Sequence, residues 1–276
     1  MDLGLQPLLE YDLKDTVALL NNGFTDYFVN IQFSIATFLH MVMQDGIDVN
    51  SSRVVLGEGN AVGIALIARR GWSSRLAAMA IVPEARGKGV GRWFLPQLLA
   101  ESRARGERRM VLEVIEQNMA GVRLYQSGGF QIQRRLVGYN ASQNLAGTKA
   151  VLEEVDIHDV AGLVTTHGLP DLPWQISGES MASIAPPHRA FRLDSAYAII
   201  SDPSAPVIAI CSIIVQPKAR RSGQATRLLQ ALAAAYPQRQ WKVLMVCPEE
   251  IGGLFEKAGF AREQLAQFQM AVAMGH

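Results

Sequence analysis

Cysteine is scarce in this sequence: Cys211 and Cys247 are the two in 276 residues, and each lies in an apolar run typical of a strand. Two isolated cysteines exclude a disulfide framework, and their spacing does not match a metal site. We expect both to be buried and to behave as small hydrophobic residues. The sequence therefore predicts no metal centre.

Long apolar runs are also lacking. The longest, "VIAICSIIV" (207–215), is about half the length that a membrane-spanning helix needs. The N-terminal stretch "MDLGLQPLLEYD" has no basic segment followed by an apolar one, so no signal peptide is indicated. We expect a cytoplasmic protein that does not bind a membrane.

Charge is low as well, with 18% charged residues and a formal net charge of +1. No overall field would attract nucleic acid, so no nucleic-acid partner is expected. In contrast, 49% of the residues are hydrophobic, which supports a buried core. The length suffices for two ordinary domains, and nothing in the sequence indicates an oligomeric state.

An internal repeat organises the chain. Three stretches of the first half reappear in the same order in the second half. We predict two copies of one fold, at 1–145 and 149–276, joined near the small polar stretch "NASQNLAGT" (140–148). The matching stretches are "LLEYDLKDTVAL" (8–19) with "LEEVDIHDVAGL" (152–163), "VPEARGKGVG" (82–91) with "VQPKARRSGQA" (215–225), and "LYQSGGF" (124–130) with "LFEKAGF" (254–260).

Hydrophobic periodicity predicts alternating strands and helices in the first copy. The resulting order is that of a mixed α/β fold of the α+β type. The predicted strands are 52–57, 61–69, 74–82, 109–115 and 130–139, and the predicted helices that follow the third and fourth of them are 91–104 and 118–129.

The turn "RGKGVGR" (86–92) lies between a predicted strand and a predicted helix. A Walker loop requires Ser or Thr after its lysine, but Gly89 follows Lys88. A dinucleotide fingerprint started at Gly87 would require a third glycine where Arg92 stands. Two interpretations remain: a plain glycine-rich turn, or a pyrophosphate cradle made by backbone N–H groups at a helix N-terminus.

Two blocks carry a family resemblance. "VPEARGKGVG" (82–91) resembles the acetyl-CoA signature of the GNAT acetyltransferase superfamily, Arg/Gln-x-x-Gly-x-Gly/Ala, which Arg86, Gly89 and Gly91 match. "LEVIEQNMAGVRLYQSGGF" (112–130) is similar to a second block of that superfamily, especially in ribosomal-protein N-terminal acetyltransferases. The resemblance implies two tandem GNAT-like domains, each a twisted, mixed, mostly antiparallel sheet flanked by helices.

The resemblance also implies the catalytic residues of an acyl transfer to an amine. Glu113 matches the base and Tyr125 the acid that faces the sulfur of coenzyme A. A carboxylate is out of place in the apolar run "MVLEVI", which independently marks Glu113. Glu116, at the end of the same strand, is a rival base.

Acetyl-CoA is the implied co-substrate. Backbone groups of the strand would pair with its pantetheine arm, the turn and the start of the helix would bind its diphosphate, and an asparagine would lie beside the arm. The implied cofactor-binding residues are Met79, Ala80, Ile81, Arg86, Gly87, Lys88, Gly89, Val90, Gly91, Arg92 and Asn118.

The binding site of the acceptor amine is expected in residues 21–50, because the first helices and their loop shape the acceptor pocket in GNAT folds. Five aromatic residues lie there, and Asp26, Asp45 and Asp48 are available to attract a cationic amine. For most of these residues we favour a plainer interpretation, an amphipathic helix packed on the sheet with its acidic residues in water.

The second copy departs from the pattern. Arg220, Gly223 and Ala225 match the signature loosely, but Arg221 replaces Gly87, and Phe255 replaces the phenol of Tyr125. Met245 stands near the position of Glu113. We therefore predict a degenerate domain that is structural or shapes the acceptor site. Its last strand (267–274) either closes its own sheet or pairs with the first copy.

Three functions follow. The first is an acetyl-CoA-dependent N-acetyltransferase that acts on a small-molecule or peptide amine by direct attack in a ternary complex, because no Cys or Ser constellation near the motif suggests an acyl-enzyme. The second is a catalytically silent acyl-CoA-binding sensor or regulatory protein. The third is a small-molecule acetyltransferase that resembles mycothiol synthase, another tandem GNAT protein.

Overall fold

The computed structural model describes residues 2–141, 145 and 147–275. They form two compact units. Unit 1 contains the residues up to Gln133 together with those from Phe268 onward, and unit 2 contains Arg134–Gln267. Each unit is a mixed sheet with helices packed on it, so the predicted mixed α/β class with a repeated unit is confirmed.

The first half of the chain contains the predicted strands and helices in the predicted order, preceded by one short strand and two helices. Two short 3-10 turns, Leu8–Glu10 and Pro83–Ala85, connect elements. The elements are β1 (Leu3–Pro7), α1 (Leu13–Gly23), α2 (Ile35–Asp45), β2 (Arg53–Gly57), β3 (Asn60–Arg70), β4 (Ser73–Ile81), α3 (Val90–Ala104), β5 (Arg109–Ile115), α4 (Met119–Ser127) and β6 (Gln131–Ala141).

The second half repeats this order, and three of its four helices are shorter than their counterparts. A 3-10 turn, Pro217–Ala219, stands where Pro83–Ala85 stands in the first half, and two more lie at Trp174–Ile176 and Glu249–Ile251. The elements are β7 (Glu153–Val155), α5 (Ile157–His167), α6 (Gly178–Ala182), β8 (Arg189–Leu193), β9 (Ala196–Ile200), β10 (Val207–Val215), α7 (Gln224–Ala235), β11 (Gln240–Pro248), α8 (Gly253–Lys257) and β12 (Ala261–Ala273).

The sheet of unit 1 is antiparallel from β1 to β4 and becomes parallel at β5. The β3–β4 ladder contains a bulge, since Ile67 pairs with Leu76 and Leu66 with Ala78, which leaves Ala77 as the extra residue. A bulge bends its strand and increases the local twist. The bulge therefore redirects the second half of β4.

The parallel ladder between β4 and β5 is short. Over the residues that the structure describes, it joins Ser73–Arg75 to Arg109–Val111 and extends no further. Residues 77–79 are only half-buried, although β4 is an inner strand of the sheet. The last residues of β4 thus present backbone groups on the side facing β5 that no strand of unit 1 covers.

Most of β6 and the last part of β12 each belong to the unit that the other half of the sequence mainly forms. Residues 134–141 of β6 belong to unit 2, where Leu136–Ala141 lies antiparallel to β11. The last part of β12 belongs to unit 1, beside β5, and Met274 N–H donates to the carbonyl of Arg108 (2.8 Å). Of the two placements that the sequence left open for 267–274, the structure has the one in the first unit.

Close packing at the end of α1 places this helix against β4. A Cβ atom at Gly23, the last residue of α1, would lie 2.6 Å from the Cβ of Ala80, closer than two such atoms can approach. Glycine is therefore required at position 23 for the helix to reach the end of β4.

We predict that Gly23→Ala destabilises the protein by about 1–3 kcal/mol, because the new methyl group must displace β4. Gly162→Ala is the matched control. Gly162 also lies in a helix but has open space around its Cβ position, so alanine there should stabilise by about 0.5–1 kcal/mol. Thermal unfolding followed by circular dichroism measures both. Equal upward shifts of the two midpoints would contradict the packing argument.

Candidate active site

The turn at 86–89 is an exposed backbone loop at the start of α3. Gly87 and Gly89 have φ values of 73° and 85°, the left-handed region in which glycine is not strained. Gly89 precedes α3 without a capping side chain. The first N–H that bonds within this helix end is that of Trp93, to Gly89 O (3.0 Å). The N–H groups of residues 90–92 therefore point out of the helix, an arrangement that binds anions.

The arginine of the signature holds this turn in place. Arg86 donates from Nε to the carbonyl of Ile81 (3.1 Å) and from Nη2 to those of Gly23 and Thr25 (3.0 Å each). These contacts join the end of β4 to the end of α1. The charge at the rim of the turn is then left to the exposed side chains of Lys88 and Arg92.

Helix α4 brings Asn118 and Tyr125 to the same region, because α3 packs against both β4 and α4. Asn118 caps α4, with its Oδ1 accepting from the N–H of Gly121 (3.0 Å). The ring of Tyr125 packs edge-to-face on Phe130, 5.9 Å between centroids. Burial, with a smaller contribution from Tyr27, raises the pKa of Tyr125. Its hydroxyl is therefore a neutral proton donor at physiological pH.

Glu113 lies in a buried ion-pair cluster that the sequence analysis missed. Its Oε2 accepts from Nε of Arg75 (2.8 Å), and Nη1 of Arg75 donates to Asp45 (2.9 Å). The side chains of Arg75 and Glu113 are 6% and 4% exposed. Desolvation acts to lower the pKa of Arg75, but the two carboxylates outweigh it and raise that pKa. Arg75 lies in the apolar run "SRLAAMAIV", and a charged residue in such a run is the sequence feature that could have indicated the cluster.

The acidic residues of 21–50 have different environments. Asp45 pairs with Arg75. Asp48 accepts from Arg69 Nη1 (3.0 Å) and from the hydroxyl of Ser51 (2.8 Å). Burial acts to raise the pKa of Asp48, yet these hydrogen bonds lower it overall. Two of the three carboxylates are thus engaged by arginine.

Asp26, the third, lines a pocket of about 320 Å³ in unit 1. This pocket is formed by the end of α1 and the loop between α1 and α2. Most of the lining residues have carboxamide, hydroxyl or carboxylate side chains. The lining residues are Asn21, Phe24, Thr25, Asp26, Tyr27, Val29, Asn30, Ile31 and Gln32.

The second unit repeats the turn but not all of its residues. Gly223 has a φ of 77° and precedes α7, as Gly89 precedes α3. Arg221 occupies the position of Gly87 and keeps its left-handed backbone, with a φ of 62°. Arg220 bonds to the carbonyls of Val215 (3.1 Å) and His167, the same brace that Arg86 makes in unit 1.

Other positions of the second unit have changed. Phe255 is buried between Tyr139 and Phe260, at ring-centroid distances of 5.4 and 5.7 Å. The backbone carbonyl of Met245 accepts from the carboxamide of Gln267 (3.0 Å). The position that matches Tyr125 thus holds the buried ring of Phe255. The position that matches Glu113 holds Met245, whose backbone carbonyl accepts a hydrogen bond from Gln267.

Comparisons with known proteins identify the family. The model of the acetyltransferase (GNAT) family matches residues 26–130 and 183–260, well over half of the chain, in two segments. The chain therefore belongs to the GNAT family and is an acyltransferase of the GNAT type. Among curated proteins, none matches it significantly.

Solved structures share the fold over nearly the whole chain. A GCN5-related N-acetyltransferase from Sphaerobacter thermophilus has a TM-score of 0.73 at 14% identity, covering 99% of this chain and 96% of that one. A tandem GNAT protein from the clavulanic acid biosynthesis pathway has a TM-score of 0.69 at 13% identity, covering 100% and 99%. A Pyrococcus horikoshii protein described as a putative acetyltransferase gives 0.68 at 13% identity, covering 98% and 89%. At these identities the likeness shows a common tandem fold.

Two kinds of feature are absent from the part of the chain that the structure describes. No helix within them combines the length and the apolar character that crossing a membrane requires. In that same part of the chain, no group of three or more His, Cys, Asp and Glu side chains is arranged to hold a metal ion.

We predict that Arg75→Met lowers the free energy of unfolding by about 3–5 kcal/mol, because it breaks the buried ion pair of Arg75 with Glu113. The control is Arg189→Met, since the Arg189–Glu154 pair is 50% and 55% exposed and should contribute less than about 1 kcal/mol. Urea unfolding measures both variants. Adding Glu113→Met to Arg75→Met should recover part of the loss, and a double variant no more stable than the single one would contradict the pairing.

Proposed function

We propose that the first domain transfers an acetyl group from acetyl-CoA to a primary amine by direct attack in a ternary complex. One observation carries the proposal. The exposed turn at 86–89 leads into the first turn of α3 beside a strand, β4, whose pairing with β5 stops at Arg75. A thioester carrier with a diphosphate at one end and amides along its arm fits these two backbone features.

The cofactor-binding residues divide by the part of coenzyme A that they would hold. The N–H groups of 87–92 bind the diphosphate, with Lys88 and Arg92 adding charge. The backbone of 79–81 pairs with the amides of the pantetheine arm, and Asn118 lies beside it. Arg86 acts indirectly, because its side chain fixes the turn and the strand end to α1.

In the transfer itself the amine nitrogen bonds to the carbonyl carbon, and the carbon–sulfur bond breaks. The amine loses one proton and the sulfur gains one, so the products are an amide and free coenzyme A. Tyr125 supplies the proton to the sulfur, and a nearby carboxylate, Glu113 or Glu116, takes the proton from the amine. An N–H of β4 stabilises the oxyanion.

The two carboxylates can be separated by experiment. Glu113→Gln keeps an oxygen that accepts from Arg75 but removes the basic group, and Glu116→Gln removes the rival base. The variant that loses kcat while it still folds and binds acetyl-CoA identifies the base. The second domain, in this proposal, is structural or shapes the acceptor site.

One observation favours a second candidate, a catalytically silent acyl-CoA-binding protein: Glu113 Oε2 is already bonded to Arg75. The discriminating measurement is release of coenzyme A in the presence of a panel of amines. Binding of acetyl-CoA without turnover of any amine would favour the silent binder.

We predict that Gly89→Glu weakens acetyl-CoA binding at least about 100-fold, because it forces a side chain into the left-handed backbone and places a carboxylate beside the diphosphate. Gly223→Glu is the matched control, since it adds the same charge at the same backbone conformation in the second unit. Isothermal titration calorimetry measures both. If only Gly223→Glu lost binding, the site would be in the second unit.

We predict that Tyr125→Phe lowers kcat by about 10²–10⁴-fold while leaving the affinity for acetyl-CoA unchanged. The pKa of Tyr125 is raised above 10, the usual pKa of tyrosine, so its phenol stays protonated beyond pH 10. Wild-type kcat should therefore not fall through phenol ionisation below about pH 10. A basic limb near pH 9 that disappears in Tyr125→Phe would contradict this.

A further inference from the structure

The ion pair of Arg75 and Glu113 lies where strands β4 and β5 separate. Over the residues that the structure describes, Arg75 is the last residue of β4 that pairs with β5, opposite Val111. Glu113 follows Val111 by two residues, on the same face of β5. We propose that Arg75, held in turn by Asp45, is a positioning residue that fixes the carboxylate of Glu113 for proton transfer from the acceptor amine. The inference rests on the proposed function and assigns a role to two residues that neither matched sequence block contains.

The order of sites along β4 places Glu113 near the acyl end of a bound coenzyme A. In the proposed function the diphosphate lies at the turn after β4, and the amides of the arm pair with the last residues of the strand. The thioester, at the other end of the arm, then extends back along β4 towards Arg75, where the strands separate. Continued in the same register, Glu113 lies level with Ala77. Glu116 lies level with Ala80, beside the arm, so this order favours Glu113 as the base.

Arg75 holds one oxygen of Glu113 and thereby sets the direction of the other. Nε of Arg75 donates to Oε2 of Glu113 (2.8 Å), and Nη1 donates to Oδ2 of Asp45 (2.9 Å). The guanidinium is planar and rigid, so two bonds from its fork fix its own orientation and that of Glu113. The side chains of Arg75 and Glu113 are both buried, which limits exchange of their bond with water. Oε2 thus anchors the carboxylate, and Oε1 receives the proton from the amine nitrogen.

Asp45 is an unfavourable residue for its place in the secondary structure. It is the last residue of α2, where the helix dipole disfavours a negative charge. Its bond to Arg75 offsets this cost and joins α2 to the sheet. The bond also matters for the reaction. When Glu113 takes up a proton, Asp45 remains as a counter-ion, so the buried guanidinium is not left without one.

The first experiment measures kcat, KM and the affinity for acetyl-CoA in Arg75→Lys. Lysine keeps the charge, but its ammonium group has no planar fork that could hold two carboxylates in fixed directions. We expect kcat to fall about 10–100-fold, with KM for the amine and the affinity for acetyl-CoA unchanged. The amine is the one among lysine, glucosamine, ethanolamine and spermidine that the wild type acetylates fastest. An Arg75→Lys variant with wild-type kcat would overturn the proposal.

Arg69→Lys is the matched control. Arg69 also binds two carboxylates, that of Glu107 through Nε and that of Asp48 through Nη1. It lies on β3, however, which is on the opposite side of β4 from β5. Arg69→Lys should therefore keep the wild-type kcat, whatever it does to the melting temperature. An equal loss of kcat in Arg69→Lys and Arg75→Lys would show a general effect of disturbing the sheet and would contradict a positioning role.

The second experiment repeats the substitution in a Glu113→Gln background. A residue that acts through Glu113 has no carboxylate left to position there, so Arg75→Lys should cause no further loss of kcat. Asp45→Asn, which keeps an oxygen for Nη1, provides the same test if Arg75→Lys does not fold. It should lower kcat about three- to tenfold with Glu113 present and not in the Glu113→Gln background. Equal losses in both backgrounds would overturn the proposal.

The outcomes also separate this proposal from the proposed function. If the wild type binds acetyl-CoA but acetylates none of the four amines, the proposed function fails and the role of Arg75 fails with it. If the wild type is active and Glu113→Gln keeps its kcat, the proposed function stands with another base, and the positioning role of Arg75 alone is wrong.

Discussion

The contact of the Arg86 guanidinium with three backbone carbonyls is the constraint on which the site depends. The end of α1 approaches β4 closely because Gly23 has no side chain, and this brings unpaired carbonyls at the helix end near the strand end. A cation at a helix C-terminus satisfies these groups and suits the helix dipole. Arg86 supplies it and thereby fixes the glycine turn, the strand edge and the loop that carries Tyr27.

The two copies share some features of the turn and differ in others. The arginine brace recurs at Arg220, and the left-handed backbone recurs at Arg221, where a non-glycine residue is strained by about 1 kcal/mol. The phenol of Tyr125, in contrast, is replaced by the buried ring of Phe255. The backbone of the turn is thus repeated in the second unit, whereas the phenol is not.

The sequence predicted the local features of the fold. The predicted strands 61–69 and 74–82 and the predicted helix 91–104 match β3, β4 and α3. No end differs by more than one residue. Sequence patterns did not reveal the ion-pair cluster of Arg75, because Asp45, Arg75 and Glu113 come from three elements that only tertiary folding brings together.

The destination of β12 also lies beyond sequence patterns, because an apolar strand looks alike whichever sheet receives it. Its placement has a consequence for biosynthesis. Residues 268–275 leave the ribosome after all of unit 2, yet they complete the sheet of unit 1. Until those residues are translated, the first unit has an open sheet edge beside β5, and an unpaired strand edge of this kind favours aggregation.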